Sequence, residues 1–323
     1  SYVVDRQRLD LKLAERACDS GAILLNDTKC YDLVKDREGW LVKLSKKKSK
    51  TECKAQMIID AEGWKPSLPE KLGIKRKLQY LKGAQFEMSN INFQSEDHVE
   101  LFFGKHYFPG FFAWIIPMSK NRARIGLCVN KSAASPFWYL EHALKKHPLL
   151  YEKTRNAKIE KRYGGIIPIH GPIERTYLKN FLVVGDSAGH VKSTTGGGIY
   201  FGLKASAIAG ETVIKSFESN NVATFDFKIY ETLWKQSFGK EIYITSKVRK
   251  ISDRLSDKDI DYLFDIILKN DEITHMIKKQ GDTAFQSELF IPLVLRLGTL
   301  LKPKMLKLLT RNIPELIKLI RKI

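Results

Sequence analysis

The 323 residues carry 55 Lys and Arg against 36 Asp and Glu, a formal charge of +19, with 43% apolar and 28% charged side chains. That length holds one large or two ordinary domains with a real core and excludes wholesale disorder, and no stretch approaches the roughly 20 apolar residues of a membrane-spanning helix. The cysteines (Cys18, Cys30, Cys53, Cys128) are too scattered for a disulfide scaffold or a CxxC site, and the histidines show no paired ligand spacing, so no metal is expected.

Tyr2-Val3-Val4 reads as a short strand, followed by a helix in which Leu9, Leu13 and Ala17 recur at helical spacing with Ala14 beside them, stopped at Gly21. Ala22–Leu25, Lys29–Val34 and Gly39–Leu44 read as strands, Lys46–Lys50 as a solvated hairpin tip, and Cys53–Ile59 as a strand ending at Asp60-Ala61-Glu62-Gly63. From about Leu78 the texture is antiparallel, with strands expected at Lys82–Met88, Val99–Phe103, Phe112–Ile116 and Ala123–Val129, then a helix over Pro136–His147. Ile159 returns to strand, Phe181–Val184 is a buried strand, and three glycines from Gly196 open a helix toward Phe217. From about Phe225 onward the chain reads as helical. The pattern is a broken α/β domain, interrupted by a mostly β insertion and followed by helices.

The strongest local signal is Phe181-Leu-Val-Val-Gly-Asp-Ser-Ala-Gly189, continuing to Thr195-Gly-Gly-Gly-Ile199. A buried strand delivers Asp186 at its carboxyl end, and a glycine-rich helix start then offers unbonded backbone N–H groups to a ligand. A strand, turn and helix start packed tightly in a core would read the same way. Val4-Asp5-Arg6 ahead of the first helix places an arginine suited either to a phosphate oxygen or to a surface ion pair. The Asp60–Gly63 turn repeats the strand-then-acid-then-glycine pattern.

Taken in order, these three segments resemble the geranylgeranyl reductase family of FAD-dependent oxidoreductases, relatives of the aromatic hydroxylases. The resemblance rests on Val4-Asp5-Arg6 with Asp10, Leu13, Ala14 and Gly21-Ala22, and on Ala61-Glu62-Gly63 with Leu72-Gly73-Ile74. Gly185-Asp186-Ser187-Ala188-Gly189 with Gly196–Ile199 completes it. It spans roughly residues 2–215 and implies an α/β (α+β overall) fold. In that fold an incomplete Rossmann-like FAD-binding domain (1–77 and 159–224) carries an antiparallel β substrate-binding insertion (78–158) and a helical basic C-terminal region (225–323). The resemblance implies that Arg6 meets the FAD phosphates, that Asp186 binds the flavin's sugar-like chain, and that Gly197, Gly198 and Ile199 present backbone to the ring. Cys30 corresponds to a residue passing the adenine. Three departures stand out: Glu62 replaces the usual Asp, Pro66 takes the slot of the family's serine with Ser67 one place late, and Lys192-Ser193 stands where a proline is general. No G-x-G-x-x-G occurs, so the family's opening pyrophosphate-binding portion is expected upstream of Arg6.

On the substrate side the family's aromatic strand is matched by Phe112-Ala113-Trp114-Ile115-Ile116-Pro117, so Phe112, Trp114 and Ile116 are expected to line an isoprenoid cavity. The same residues also suit an ordinary strand core, and Trp114, Ile116 and Pro117 fit part of a flavin-dependent halogenase signature. The implied chemistry is saturation of geranylgeranyl C=C bonds by hydride from reduced FAD, with an electron donor left open. No catalytic proton donor is assigned; His190 is the one conceivable candidate. Eight Lys or Arg and one acid, Glu315, lie between Phe290 and Ile323, interleaved with Leu and Ile and broken by Pro303 and Pro314. That suits an anionic membrane surface, and a peripheral, cytoplasmic placement is expected. No nucleic-acid-binding signature is present. The alternatives are an aromatic monooxygenase or halogenase of the same architecture, and a non-catalytic flavoprotein remnant that binds a membrane surface.

Overall fold

The computed structural model describes residues 3–297 apart from 38, 77–78, 93–94, 131–133, 220–221 and 223, together with 301 and 303. The basic stretch beyond Arg296 therefore lies almost wholly outside the described residues.

Helix α1 (Arg6–Asp19) begins at Asp5, whose side chain accepts from the backbone N–H of Arg8, and ends at Gly21, which adopts φ +95°. Strands β1 (Lys29–Lys35), β2 (Trp40–Lys46) and β3 (Ser49–Ala55) form an antiparallel meander. Strand β4 (Ile58–Asp60) then leaves that sheet and pairs parallel with β11 (Phe181–Val183), which pairs antiparallel with β10 (Tyr177–Leu178). The expected Cys53–Ile59 strand is therefore two strands in two sheets. Asn180 makes the break: its Nδ2 donates to the Gln56 carbonyl at 2.9 Å, and its own carbonyl accepts from Ile58 N at 3.1 Å and from Trp40 Nε1 at 2.8 Å.

Two expected strands do not form. Residues 3–5 and 22–25 pair with no described strand, and Val3, Val4, Ile23, Leu24 and Leu25 are exposed. The apolar stripe of α1 is only partly covered: Leu9 and Ala14 are half-buried, while Leu13 and Ala17 are exposed.

After the short helix α2 (Leu68–Lys71) comes the large antiparallel sheet, in the order β6-β7-β8-β5-β9. Its strands are β5 (Tyr80–Ser89), β6 (Glu100–Phe102), β7 (Ala113–Ser119), β8 (Arg122–Val129) and β9 (Lys158–Pro168). The expected boundary at 158 falls on the first residue of β9, whose pairing with β5 carries the sheet on to Pro168. Helices α3 (Pro136–Lys146) and α4 (Pro148–Thr154) cover one face, where Phe86, Ile115, Ile125, Leu127, Leu140 and Leu150 are fully buried. Strand alternation sends Trp114, Ile116, Gln85, Arg124 and Gly126 to the other face.

In the β4–β11–β10 sheet the central strand β11 is buried on both sides. Leu182 and Val184 pack on α6 (Ile199–Glu218), α7 (Lys228–Trp234) and the π-helical turn Lys235–Gly239, while Phe181 and Val183 pack on the β1–β3 meander through Trp40 and Val42. Tyr230 Oη donates to the Val183 carbonyl at 2.8 Å and Trp234 Nε1 to Thr176 Oγ1 at 2.8 Å, so the large aromatics of this core have their polar atoms satisfied. Helices α8 (Lys240–Ser252), α9 (Asp257–Leu268), α10 (Asp271–Gln280) and α11 (Ser287–Leu297) follow. No helix among the described residues is long and apolar enough to cross a membrane.

Candidate functional site

The buried strand β11 ends at Val183, Val184 stands at the N-cap, and the one-turn helix α5 (Gly185–Ala188) begins at Gly185 with φ +62°, a conformation open to glycine at no steric cost. Asp186 is thereby presented at the carboxyl end of the strand, half-buried; its backbone carbonyl accepts from Gly189 N at 3.1 Å, while its side-chain carboxylate accepts no hydrogen bond from the described residues. Burial pushes its carboxyl above the usual range, and the nearby Arg6 guanidinium opposes that rise. The structure therefore brings Arg6 and Asp186, 180 positions apart, into one electrostatic neighbourhood. Arg6 is exposed and is held by Asp10, with Nη2 to Oδ2 at 3.1 Å. The entry to its helix is tied to the large sheet, because Arg124 Nη1 donates to the Val4 carbonyl at 3.1 Å.

The three glycines close the other side. Gly196 has φ +71°, and Gly198 precedes the first turn of α6, which has no capping side chain and no acidic residue. A Cβ on Gly198 would stand 2.9 Å from Asp186 Oδ1 and 3.1 Å from Val191 Cγ2, so glycine lets that backbone lie against the carboxylate where a larger residue would displace it. Ile199 begins α6 and is exposed, and a Cβ on Gly197 would meet Lys192 at 3.2 Å. An acceptor without a partner, uncapped helix N–H groups, an arginine and a cradle that a Cβ would fill suit a hydroxylated, phosphorylated ligand of the flavin nucleotide kind. Cys30 is not gathered with this set. It lies in β1 beside the core of Leu33 and Phe181, its Sγ donates to the Asp32 carbonyl at 3.7 Å, and burial raises its thiol.

The departures in sequence have structural accounts. Glu62 accepts from Ser67 N at 2.7 Å, Ser67 Oγ at 2.8 Å and Leu68 N at 2.8 Å, so the longer acid reaches the displaced serine and caps α2. Burial works against its charge, but those hydrogen bonds hold its carboxyl below the usual range. Lys192 is buried and its Nζ donates to the Thr283 carbonyl, while Thr194 Oγ1 and Gln286 Oε1 lie 2.6 Å apart. The loop before the glycines is thus fastened to the C-terminal helices instead of being stiffened by a proline.

Two buried groups, Asp60 and His190, lie behind the turn. Asp60, at the end of β4, accepts from Ser187 Oγ and leaves Oδ1 without a partner among the described residues. Burial pushes its carboxyl up to about 7, against the Ser187 hydrogen bond and with the Glu62 charge adding. His190 is fully buried between Trp234 and Phe238, with ring centroids at 4.6 and 5.3 Å, and burial pushes it down to about 3. It is a neutral core residue with no access to a substrate, which removes it as a proton donor.

Of the expected substrate residues, Phe112 lines a cavity of about 400 Å³ between the large sheet and α8–α9, with Phe103, Leu255, Leu263 and Phe264 among its apolar walls and Thr194 and Thr195 also on its lining. A second apolar cavity of about 390 Å³ shares Thr194 and Val248 with it and continues along α8 toward α11. Trp114 and Ile116 do not line either; they share the sheet face with Phe112, where the Trp114 ring covers Gly126 and its Nε1 donates to Gln85 Oε1 at 3.1 Å. Gln85 lies 29 positions upstream, and no local pattern points to it.

Residues 80–166 match the model of the geranylgeranyl reductase catalytic domain. A digeranylgeranylglycerophospholipid reductase of Methanocaldococcus jannaschii is 34% identical over 266 residues, covering 81% of this chain and 67% of the relative. An uncharacterized protein of the same organism is 33% identical over 299 residues, covering 90% and 73%. Among solved structures, a geranylgeranyl bacteriochlorophyll reductase-like protein from Thermoplasma acidophilum superposes with a TM-score of 0.78 at 20% identity, covering 93% of this chain and 76% of the other. A flavin-dependent brominase reaches 0.67 at 16% identity, covering 89% and 72%, a likeness of fold alone. By its sequence relatives and its fold, the chain belongs to the geranylgeranyl reductase family of flavin-dependent oxidoreductases.

Proposed function

We propose that this protein is an FAD-dependent reductase that saturates C=C bonds in the geranylgeranyl chains of membrane lipids or their precursors. One observation carries the reading: the loop that leads into the glycine cradle also supplies Thr194 and Thr195 to the wall of the apolar cavity, so a nucleotide-type cradle and an apolar cavity meet at one loop. Burying each methylene-sized group of an isoprenoid chain there contributes about 0.8 kcal/mol. The two cavities, of about 390 and 400 Å³ with Thr194 and Val248 in both walls, are each of the size that encloses a small apolar ligand.

In this reading Arg6 neutralises the cofactor's phosphates, Asp186 accepts from its sugar-like hydroxyls, and the backbone of Gly197, Gly198 and Ile199 lies against the ring system. What bound, reduced FAD supplies is hydride to one alkene carbon, the neighbouring carbon taking a proton. Phe103, Phe112, Leu263 and Phe264 position the chain and exclude water. An anionic membrane, met through the basic stretch from Arg296 to Lys322, is the proposed source of substrate, and a separate electron donor reduces the flavin.

The test is direct. Protein loaded with FAD and given a chemical reductant should add one molecule of hydrogen per double bond to digeranylgeranylglycerol phosphate, read by mass spectrometry. Flavin-loaded protein that leaves the chains unsaturated would overturn the proposal. Incorporation of oxygen or bromide into an aromatic acceptor would move the assignment to the monooxygenase or halogenase class.

A further inference from the structure

Helix α8 runs past both apolar cavities, and its residues divide between them in order. Ile244 and Thr245 line the second cavity, Arg249 and Ser252 line the cavity of Phe112, and Val248 lines both. Residues 244 and 252 stand about 12 Å apart along the helix axis, so Val248 marks the point at which one cavity gives way to the other. The chain facing α8 divides in the same way. Thr195, next to Gly196 of the cradle, lines the cavity of Phe112 alone, Gln286 lines the second cavity alone, and Thr194 lines both. Val248 and Thr194 are therefore the boundary between two apolar spaces of about 390 and 400 Å³.

The two sides of that boundary differ in what holds them. Thr194 is fixed by polar contacts, because its Oγ1 lies 2.6 Å from Gln286 Oε1 and Gln286 N in turn donates to Glu241 Oε1 at 3.0 Å. Val248 is half-buried and offers the boundary only its two methyl groups. Its bulk can change without breaking a hydrogen bond, whereas a change at Thr194 would also loosen the loop that leads into the cradle.

We propose that Val248 sets how long a chain this site accepts. A short isoprenoid is held in the cavity of Phe112 alone, and a longer one passes between Val248 and Thr194 and lays its remaining units in the second cavity. A larger side chain at position 248 confines the ligand to the first cavity, and a smaller one does not. This inference rests on the reading of the apolar cavity as the chain site.

The test needs no turnover. Binding of radiolabelled geraniol, farnesol and geranylgeraniol, in order of increasing length, to the full chain is measured by equilibrium dialysis. The parent should bind geranylgeraniol at least about tenfold more tightly than geraniol, with farnesol between them, because the added units have a second apolar space to enter. Val248→Phe should erase that preference and leave geraniol binding as before. Val248→Leu, which adds a single methylene and keeps the helix packed, should reduce the preference partway, and Val248→Ala should retain it. Greater hydrophobicity of the longer alcohol would by itself raise affinity in every variant alike, so the graded loss is the signature of a gauge. If the parent binds geraniol and geranylgeraniol equally, or if the leucine and phenylalanine variants keep the preference, the gauge is wrong and the chain site stands. If the alanine variant also loses the preference, or if the larger side chains weaken geraniol as much as geranylgeraniol, Val248 supports the packing of α8 and the proposal is overturned. If no alcohol binds the parent, both the gauge and the chain site are wrong.

Discussion

Gly198 is where the cradle depends on a single missing atom. A Cβ there would stand 2.9 Å from Asp186 Oδ1 and 3.1 Å from Val191 Cγ2, so the carboxylate itself must shift to admit it. Gly198→Ala should therefore displace the carboxylate and weaken FAD binding by about tenfold or more, measured by flavin fluorescence titration. Gly202→Ala, one turn into α6, is the matched control: its Cβ would meet Gly185 Cα at 3.7 Å, an ordinary contact, so alanine should stabilise the helix by about 0.5–1 kcal/mol and leave FAD affinity in place. Asp60 gives a second residue-level prediction. Its carboxyl is pushed up from the ordinary 3.8 to about 7 by burial, so the folded state holds a proton that the unfolded chain releases at lower pH. Stability from this group is present below about pH 4, is lost as pH rises toward 7, and stays flat above it. Asp60→Asn, which keeps shape and hydrogen bonding without the charge, should remove that decline, worth a few kcal/mol, in urea unfolding measured from pH 4 to 8. A variant with the same slope as the parent would show that Asp60 is ionised throughout.

At the scale of elements, what could be read from sequence follows from how local each cause is. The helix over Arg6–Asp19, the first two strands of the meander, the alternating strands from Tyr80 to Val129 and the helix start after Gly198 are set by periodicity, turn residues and caps within a few positions, and they appear where expected. The glycine-and-acid turn at Gly185–Asp186 was legible for the same reason, because a strand, a positive-φ glycine and a helix start are contiguous. The segment 22–25 has strand composition but no neighbour to pair with, and pairing is not a local property. The chain from Cys53 to Ile59 has strand character throughout, yet Asn180, more than 120 positions later, divides it between two sheets by bonding at Gln56 and Ile58. Phe112, Trp114 and Ile116 do share a face, as alternation demands, but which of them borders the cavity depends on Gln85 and Gly126, which draw the Trp114 ring onto the sheet. Arg249 was illegible altogether. It is one cation in the basic helix α8, and its burial against Gly110 and Phe111 exists only once that helix has docked on the insertion.

For the whole molecule, that docking is also what completes the groove, because the apolar cavities have the α/β body and the large sheet on one side and the C-terminal helices on the other. The fastening is polar and concentrated. Glu241 on α8 is 1% exposed and accepts from Gln286 N at 3.0 Å and Ser287 N at 2.9 Å, capping the start of α11, while Thr194 and Lys192 of the cradle loop bond to the same 283–286 segment. A buried carboxylate can be kept there because two backbone donors satisfy it, with the Lys192 ammonium in its field. Glu241→Ala leaves those two N–H groups without an acceptor and should cost about 2–4 kcal/mol, with the loss concentrated at the helix start. The cavity that Gln286, Ser287, Phe290 and Leu293 help to wall should then open at its far end. Hydrogen exchange should show amides 284–290 exchanging faster in the variant while those of β5 and β8 keep their protection, and affinity should fall more for a full geranylgeranyl chain than for a single-isoprene analogue, which does not reach that end. Uniformly faster exchange, or equal losses for short and long chains, would mean that Glu241 supports the fold at large and that the cradle loop and α11 do not act as one wall of the groove.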